Sequence, residues 1–206
     1  MKISFVSIED GITALGFRKM ASFARSIHPS TEVCYLPLTN AYNPLRFLLK
    51  PGGHDRVYSN ADLNSIASHF AKSDLVCFSS MTAYSDLTKE IIQLTKKINP
   101  KTYIIWGGIH PIVHPEDAIE YPDAICVGEG ETAFKLFLSS FKERGDYTST
   151  KNFWFNHNGT VIRNDFLPLH TSEEMDQSPF LLYADNELIF KHGKGFIPQN
   201  TNDYLS

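Results

Sequence analysis

Short apolar runs alternate along the chain with segments in which apolar residues recur every three or four positions. Such runs are typical of buried parallel strands, and the recurring positions are typical of helices that cover a sheet. The strands are predicted at residues 2–8, 31–36, 75–78, 103–106 and 125–127. The pattern therefore predicts a doubly wound, Rossmann- or flavodoxin-like α/β fold with five parallel strands in the order 2-1-3-4-5.

Two regions depart from this alternation. Residues 37–58 contain Pro37, Pro44 and Pro51, which break any periodic pattern and predict an irregular excursion. From residue 146 onward the sequence predicts one hairpin, with Asn158-Gly159 at its turn, followed by an irregular linker. We therefore expect two parts, a folded domain over residues 1–145 and a hairpin with a linker over residues 146–206.

Composition excludes some classes of function. The 206 residues are 42% hydrophobic and carry a formal charge of -4, so the chain can bury a core and has no basic excess for a broad nucleic-acid surface. No apolar run approaches the roughly 20 residues that a membrane span needs, and residues 1–10 do not resemble a signal peptide. Cys34, Cys77 and Cys126 lie in apolar runs without CxxC spacing, so we expect buried thiols and a cytoplasmic protein.

Small and polar residues follow three of the predicted strands. The hydroxyl-rich loop 79–82, the pair Gly107-Gly108 and the segment 128–131 each begin where a strand ends. Because the carboxyl ends of parallel strands meet at one edge of a sheet, we expect these loops to form a ligand site. The sequence leaves alternatives open: the glycines could serve packing, one hydroxyl could cap the next helix, and Glu129 or Glu131 could pair with helix amides.

A metal site is not predicted. His110 and His114 are four residues apart, but a metal pair would need a helix through Pro111 and further ligands that the spacing does not supply. A single histidine that hydrogen-bonds a ligand or a carbonyl is favoured. P-loop, GxGxxG and Ser-His-Asp patterns are also missing from the sequence.

The loop motifs resemble those of one family. Ser79-Ser80-Met81 is followed at the family's approximate spacing by Trp106-Gly107-Gly108-Ile109-His110-Pro111, and then by Gly128-Glu129-Gly130-Glu131. This set resembles the N-terminal cobalamin (B12)-binding domain of B12-dependent radical SAM enzymes. The family's first motif would supply a histidine to cobalt, but residues 9–16 contain none. The resemblance therefore implies cobalamin bound base-off, with its dimethylbenzimidazole tail held away from cobalt and no protein histidine below the metal.

The resemblance also implies the site residues and the partners. Eighteen positions are expected to contact cobalamin: Asp10, Gly11, Ile12, Thr13, Ser79, Ser80, Met81, Thr82, Tyr84, Gly107, Gly108, Ile109, His110, Pro111, Gly128, Glu129, Gly130 and Glu131. In the family a C-terminal radical SAM domain with a CxxxCxxC motif binds a [4Fe-4S] cluster and S-adenosylmethionine. That motif is missing here, so we expect a cobalamin-binding module, inactive alone, of an enzyme such as a methyltransferase. The alternative is a docking or sensing domain of the same fold without cobalamin.

Overall fold

A mixed β-sheet runs through the described part of the chain. The computed structural model describes residues 1–9, 14–38, 58–157, 159–169, 171, 173, 179 and 186–199. Within these residues the strands are β1 (Ile3–Ser7), β2 (Glu32–Tyr35), β3 (Leu75–Ser79), β4 (Tyr103–Gly107), β5 (Ala124–Cys126), β6 (Phe153–His157), β7 (Thr160–Arg163), β8 (Leu188–Lys191) and β9 (Gly195–Pro198).

The centre of the sheet has the predicted topology. The strand order is β7-β6-β5-β4-β3-β1-β2-β8-β9. Strands β2, β1, β3, β4 and β5 are neighbours in that order and pair in parallel. The prediction of a doubly wound α/β sheet with the order 2-1-3-4-5 is thus confirmed for the central strands, and their carboxyl ends lie along one edge.

The predicted count of five strands is wrong, because the described residues form nine, and residues 188–198 of the predicted irregular linker form a hairpin. The hairpin β6–β7 joins β5 in antiparallel pairing, and Gly159 in its turn has a φ of +81°, as expected for a turn glycine. A second hairpin, β8–β9, adds to the other margin, where β8 pairs in parallel with β2. The few apolar residues of this hairpin pack at the edge of the existing sheet and do not form a core of their own. The sequence therefore showed no separate periodic pattern for it. Whether residues 1–145 form a domain of their own stays a prediction.

Helices cover both faces of the sheet. They are α1 (Leu15–Ile27), α2 (Asn60–Phe70), α3 (Ser85–Ile98), α4 (Ile109–Val113), α5 (Pro115–Ala118) and α6 (Gly130–Lys142). We call the face that packs against α1 and α6 the first face, and the face that packs against α2 and α3 the second face. Side chains alternate between the faces along each strand, so Cys77 lies on the first face and Val76 on the second.

Local sequence explains where α2 begins. The Ser59 side chain accepts from the Asp62 amide, and the Asp62 side chain accepts from the Ser59 amide, which forms a capping box for α2. Helix α3 begins at Ser85, directly after a 3-10 turn at Thr82–Tyr84, and Tyr84 before it makes no side-chain capping hydrogen bond. The predicted irregular excursion falls largely on residues 39–57, which lie outside the described residues.

A buried ion pair fastens the C-terminal hairpin to α1. Arg18 Nη1 lies 3.3 Å from Glu187 Oε2, with side-chain exposures of 0% and 2%, and Arg25 Nη1 lies 3.6 Å from the other oxygen. The Arg18 guanidinium also lies over the Tyr35 ring, 4.8 Å from its centroid. Moving the hairpin away would separate these charges and leave a buried charge unpaired, which is costly. The cluster therefore holds the hairpin in its position.

None of the described helices combines the length and the apolar character needed to cross a bilayer.

Candidate functional site

A cavity of about 450 Å³ opens at the carboxyl edge of the sheet, on the first face, between α1 and α6. Its floor is made by side chains that the central strands point toward this face: Phe5, Cys77, Ile105 and Cys126. Helix α1 contributes Phe17 and Met20, and α6 contributes Phe134. Volumes of roughly 300–1,000 Å³ are usual for pockets that bind small molecules and cofactors, so the cavity is large enough for such a group.

Gly107 leaves one wall of the cavity without a side chain. A Cβ atom at this position would lie 3.7 Å from the Cβ of Cys126 and 3.8 Å from the Phe78 carbonyl oxygen, which are ordinary contacts. The protein itself therefore does not require glycine here by close packing. Any longer side chain would enter the cavity, so the glycine keeps open a space that a ligand can use.

Gly108 has a different reason to be glycine. Its φ is +93°, and a Cβ atom would lie 2.7 Å from the Ser80 carbonyl oxygen and 2.9 Å from the Ser80 amide nitrogen. The chain leaving β4 thus passes directly over the backbone that leaves β3. Packing, one of the two explanations that the sequence left open, accounts for this glycine.

The two serines after β3 also differ. Ser80 is buried, and its Oγ accepts hydrogen bonds from Trp106 Nε1 and from Thr88 Oγ1, both over 3.0 Å. Ser79 Oγ has no hydrogen-bond partner in the described part of the chain, and Ser79 lines the cavity. The hydroxyl of Ser79 is therefore the one that is free to bind a ligand.

The corner after β5 is built around Asn152, which the sequence did not single out. Asn152 is buried, donates from Nδ2 to the Glu129 carbonyl over 2.8 Å and accepts from the Leu167 amide over 2.7 Å. A Cβ on Gly128 would lie 2.8 Å from the Asn152 side chain. Glu131 lines the cavity and lies 3.1 Å from Lys19 Nζ. Glu131 therefore pairs with Lys19 rather than with the amides of its own helix.

His110 lies away from the cavity. Its ring stacks on Trp106 of the second face with centroids 4.9 Å apart, and its Nε2 lies 2.9 Å from Asp117 Oδ2. Helix α4 does pass through Pro111, and the rings of His110 and His114 are 5.5 Å apart. Among the described residues, however, these two histidines and a third ligating side chain do not bring their ligand atoms close enough together to hold a metal ion.

A separate polar cluster occupies the opposite, amino-terminal edge of the sheet. Glu32 Oε2 lies 2.8 Å from His69 Nε2 and 3.6 Å from Cys34 Sγ, and Lys2 Nζ lies 3.5 Å from Oε1. Three metal-ligating atoms are close together here. The lysine and the short hydrogen bonds already satisfy the carboxylate, so the cluster functions as an ion-pair network.

Exposed apolar side chains surround the mouth of the cavity. Leu15, Met81, Ile109 and Ile112 line it and remain 46–56% exposed. They come from three different segments that the fold brings to one edge. We call these four residues the apolar rim; it is a surface suited to a flat, largely apolar group.

The cavity brings together half of the eighteen predicted contact residues. Those that line it are Ser79, Ser80, Met81, Gly107, Gly108, Ile109, Gly128, Gly130 and Glu131. Those that do not line it are Thr82, Tyr84, His110, Pro111 and Glu129. The predicted contacts at Asp10, Gly11, Ile12 and Thr13 lie outside the described residues. A contact with cobalamin stays a prediction for every one of these positions.

Sequence reasoning missed the floor and the helical walls. Cys77, Ile105 and Cys126 each lie two residues before a predicted loop residue, namely Ser79, Gly107 and Gly128. Strand side chains alternate, so counting back by two from each loop would have placed these residues on the same face. The helix residues Phe17, Met20 and Phe134 recur at the spacing of core-facing positions, and that spacing gives no signal that they border a cavity.

The sequence matches a known family over part of its length. Residues 48–138 match the family model described as the B12 binding domain. Residues 48–138 are thus similar to B12-binding domains. The resemblance to the cobalamin-binding domain of B12-dependent radical SAM enzymes is thereby confirmed, and cobalamin is the cofactor of this kind of domain. No curated protein matches the sequence.

Solved structures share the fold of this chain. Radical S-adenosylmethionine methyltransferase TsrM from Kitasatospora setae, with tryptophan substrate and a SAM analogue, gives a TM-score of 0.55 at 14% identity over 80% of this chain and 30% of that one. TsrM with cobalamin and a [4Fe-4S] cluster gives 0.54 at 14% identity over 98% and 32%. The cobalamin-dependent S-adenosylmethionine radical enzyme OxsB with aqua-cobalamin gives 0.54 at 16% identity over 82% and 22%. This chain thus spans a third or less of their length.

Proposed function

We propose that this chain binds cobalamin, with the nucleotide tail in the cavity between α1 and α6 and the corrin ring over the apolar rim. The observation that carries the proposal is the open wall at Gly107, since the protein's own atoms leave this space free at the edge where doubly wound sheets bind ligands. In a docking or sensing domain of the same fold without cobalamin, we would expect side chains to fill that space. The cavity extends along the wall instead.

The described residues can be given roles toward cobalamin. Phe5, Ile105 and Phe134 would enclose the dimethylbenzimidazole ring in apolar surroundings, and the Ser79 hydroxyl would hydrogen-bond the nucleotide loop. Gly107 would allow the tail to lie against the backbone. When bound, cobalamin would supply a cobalt centre that can carry a methyl group.

Binding without a protein histidine below the cobalt is part of the proposal. Among the described residues, no histidine lines the cavity, and residues 9–16 contain none. His110, the histidine nearest to these loops in sequence, is directed into the second face by Trp106 and Asp117. These placements support base-off binding with the lower face of cobalt free of imidazole.

The parent activity is proposed from the relatives. We infer that the chain serves a radical SAM enzyme of the methyltransferase type, in the cytoplasm, with the [4Fe-4S] cluster and S-adenosylmethionine held by a separate radical SAM domain. The coding sequence that follows the codon for Ser206, and the neighbouring genes, can be read for a CxxxCxxC motif. Its presence would support this assignment, and its absence from both would contradict it.

Titration with hydroxocobalamin tests the binding proposal. The purified chain should retain cobalamin after desalting, in a one-to-one ratio, with the shift of the visible spectrum that marks base-off cobalamin. Retention with an unshifted spectrum would contradict the base-off part alone. No retained cobalamin would contradict the proposal as a whole.

A pair of glycine variants makes the test specific to the cavity. Gly107→Leu should fill the space beside Cys126 and weaken cobalamin binding by roughly tenfold or more. Gly145→Leu is the matched control: a Cβ there also makes only an ordinary 3.7 Å contact, and the residue is exposed outside the cavity. Circular dichroism should show both variants folded. Equal binding by the two variants would contradict the assigned position of the tail.

A further inference from the structure

Among the described residues that line it, the inner part of the cavity offers almost no hydrogen-bonding side chains. Its floor and walls are formed by Phe5, Ile105, Phe134 and Phe153, together with two cysteines. The other polar side chains that line the cavity, Glu9, Ser79, Ser80 and Glu131, belong to the segments that follow strands, at the carboxyl edge or at the very ends of the strands. Polarity is thus confined to the mouth.

The two cysteines do not change this picture. Burial raises the pKa of the Cys77 thiol well above its usual value and that of Cys126 to about 11, so both are neutral at pH 7. A neutral thiol is a weak donor and a weak acceptor. The Cys126 thiol already donates to the Gly128 carbonyl over 3.5 Å.

The backbone groups of the floor residues are already used in hydrogen bonds between strands. Cys77 and Ile105 face each other in the parallel register of β3 and β4, and Ile105 is matched by Ala124 of β5. In a parallel ladder the amides and carbonyls of such residues bond to neighbouring strands. A ligand that reaches the floor therefore meets apolar surface and thiols, but few free donors or acceptors.

We infer that this cavity selects among cobamides by the polarity of the lower base, accepting a benzimidazole and rejecting a purine. The inference rests on the proposed function and deepens it. An adenine base carries an exocyclic amine and ring nitrogens that a dimethylbenzimidazole lacks. In the inner cavity these groups would lose water without gaining hydrogen bonds, whereas the methyl groups of dimethylbenzimidazole suit the aromatic walls.

Three probes test this inference by binding alone. The complete chain is titrated with cobalamin, with the cobamide that bears adenine as its lower base, and with cobinamide, which has no nucleotide tail. Affinity is measured by calorimetry or by the visible spectrum. Cobalamin should bind roughly tenfold to a hundredfold more tightly than the adenine cobamide, and also more tightly than cobinamide.

The outcomes separate the inference from the proposed function. Equal affinities for cobalamin and the adenine cobamide, both above cobinamide, would overturn the selectivity and leave the tail in the cavity. Equal affinities for all three would place the tail outside the cavity and overturn the inference. Absence of binding by all three would overturn the proposed function itself.

A matched pair of cysteine variants places the selectivity on the floor. Cys77→Ser adds a strong hydrogen-bonding hydroxyl in the cavity with little change of volume, and it should narrow the preference for cobalamin over the adenine cobamide by at least threefold. Cys34→Ser is the control, because Cys34 is equally buried but lies on the second face. An unchanged preference in Cys77→Ser, or the same change in Cys34→Ser, would overturn the assignment to the floor. Should Cys77→Ser fail to fold, the three-probe comparison decides.

Discussion

The Trp106 indole N–H donates to the Ser80 hydroxyl over 3.0 Å and ties the end of β4 to the loop after β3. Both residues are buried, and the bond lies on the second face, behind the wall formed by Gly107 and Gly108. Ser80 is therefore part of the scaffold that holds the cavity open. The neighbouring Ser79 is left to face the ligand.

Substituting these two serines by alanine should give opposite results. Ser80→Ala leaves the buried Trp106 N–H without its acceptor and should lower the free energy of unfolding by about 1–3 kcal/mol. Ser79→Ala should change stability by no more than about 0.5 kcal/mol but weaken cobalamin binding by roughly threefold to tenfold. Urea denaturation and cobalamin titration measure the two effects. The reverse pattern would show that the serine roles are exchanged.

The two adjacent glycines should respond differently to the same small change. Gly108→Ala forces a side chain onto backbone at a φ of +93° and into the Ser80 carbonyl, and should destabilise the protein by about 2 kcal/mol or more. Gly107→Ala introduces a methyl group at ordinary contact distances and should change stability by less than about 1 kcal/mol. Thermal unfolding of the two variants provides the comparison. A similar loss of stability in both variants would contradict the conclusion that Gly108 is required for packing and Gly107 for ligand access.

Cobalamin should protect two of the three cysteines from alkylation. Cys77 and Cys126 line the cavity, whereas Cys34 lies on the other face and serves as the internal control. The thiolate is the reactive form, and burial raises the pKa of Cys126 to about 11, so its alkylation in the free protein should accelerate roughly tenfold per pH unit from pH 7 toward that value. Mass spectrometry of iodoacetamide-treated protein reads out each site. Protection of Cys34 alone would contradict the position of the ligand.

Glu32 should contribute stability that is lost in acid. Burial opposes its ionisation, but the hydrogen bond and charge of His69 and the charge of Lys2 outweigh it and lower the pKa from 4.5 to about 2. Because the folded-state pKa is depressed, this stabilisation is fully present above pH 4.5 and disappears as the pH falls toward 2. Glu32→Gln should flatten this part of the pH–stability curve. Since Glu32 lies at the amino-terminal edge, cobalamin affinity at pH 7 should not change.

The buried cluster around Glu187 should control the attachment of the C-terminal hairpin. Glu187→Gln removes the buried carboxylate that pairs with Arg18 and Arg25, and should lower the free energy of unfolding by about 3 kcal/mol. Glu143→Gln, at an exposed position, is the control and should stay within about 0.5 kcal/mol. Guanidinium denaturation measures both. A loss in Glu187→Gln no greater than in the control would show that the hairpin is held by strand pairing alone.

The central fold could be predicted because each strand is buried on both faces and therefore appears as a continuous apolar run. Small residues at Ser79, Gly107 and Gly128 marked the strand ends, and all three line the cavity. The family motifs added the ligand that those strand ends could hold. These features depend on local sequence patterns, which can be read from one sequence without knowledge of the fold.

The features that could not be predicted depend on contacts between distant segments. The pairing of β8 with β2 and the burial of Glu187 against Arg18 join residues more than a hundred positions apart. Likewise, the sequence could not show that Ser80 is used by Trp106 or that His110 points into the second face. Ser80 and His110 are polar residues near the site whose side chains make contacts within the protein instead of facing the cavity. The residue type alone does not reveal this.

The apolar rim has a consequence for the chain when its vitamin is scarce. The rim consists of Leu15, Met81, Ile109 and Ile112, which place exposed apolar surface around the open cavity. A bound corrin would cover that surface, whereas the empty protein would present it to other copies. The protein should therefore aggregate more readily in cells that lack cobalamin. Expression without the vitamin should yield aggregates, and its addition should prevent them.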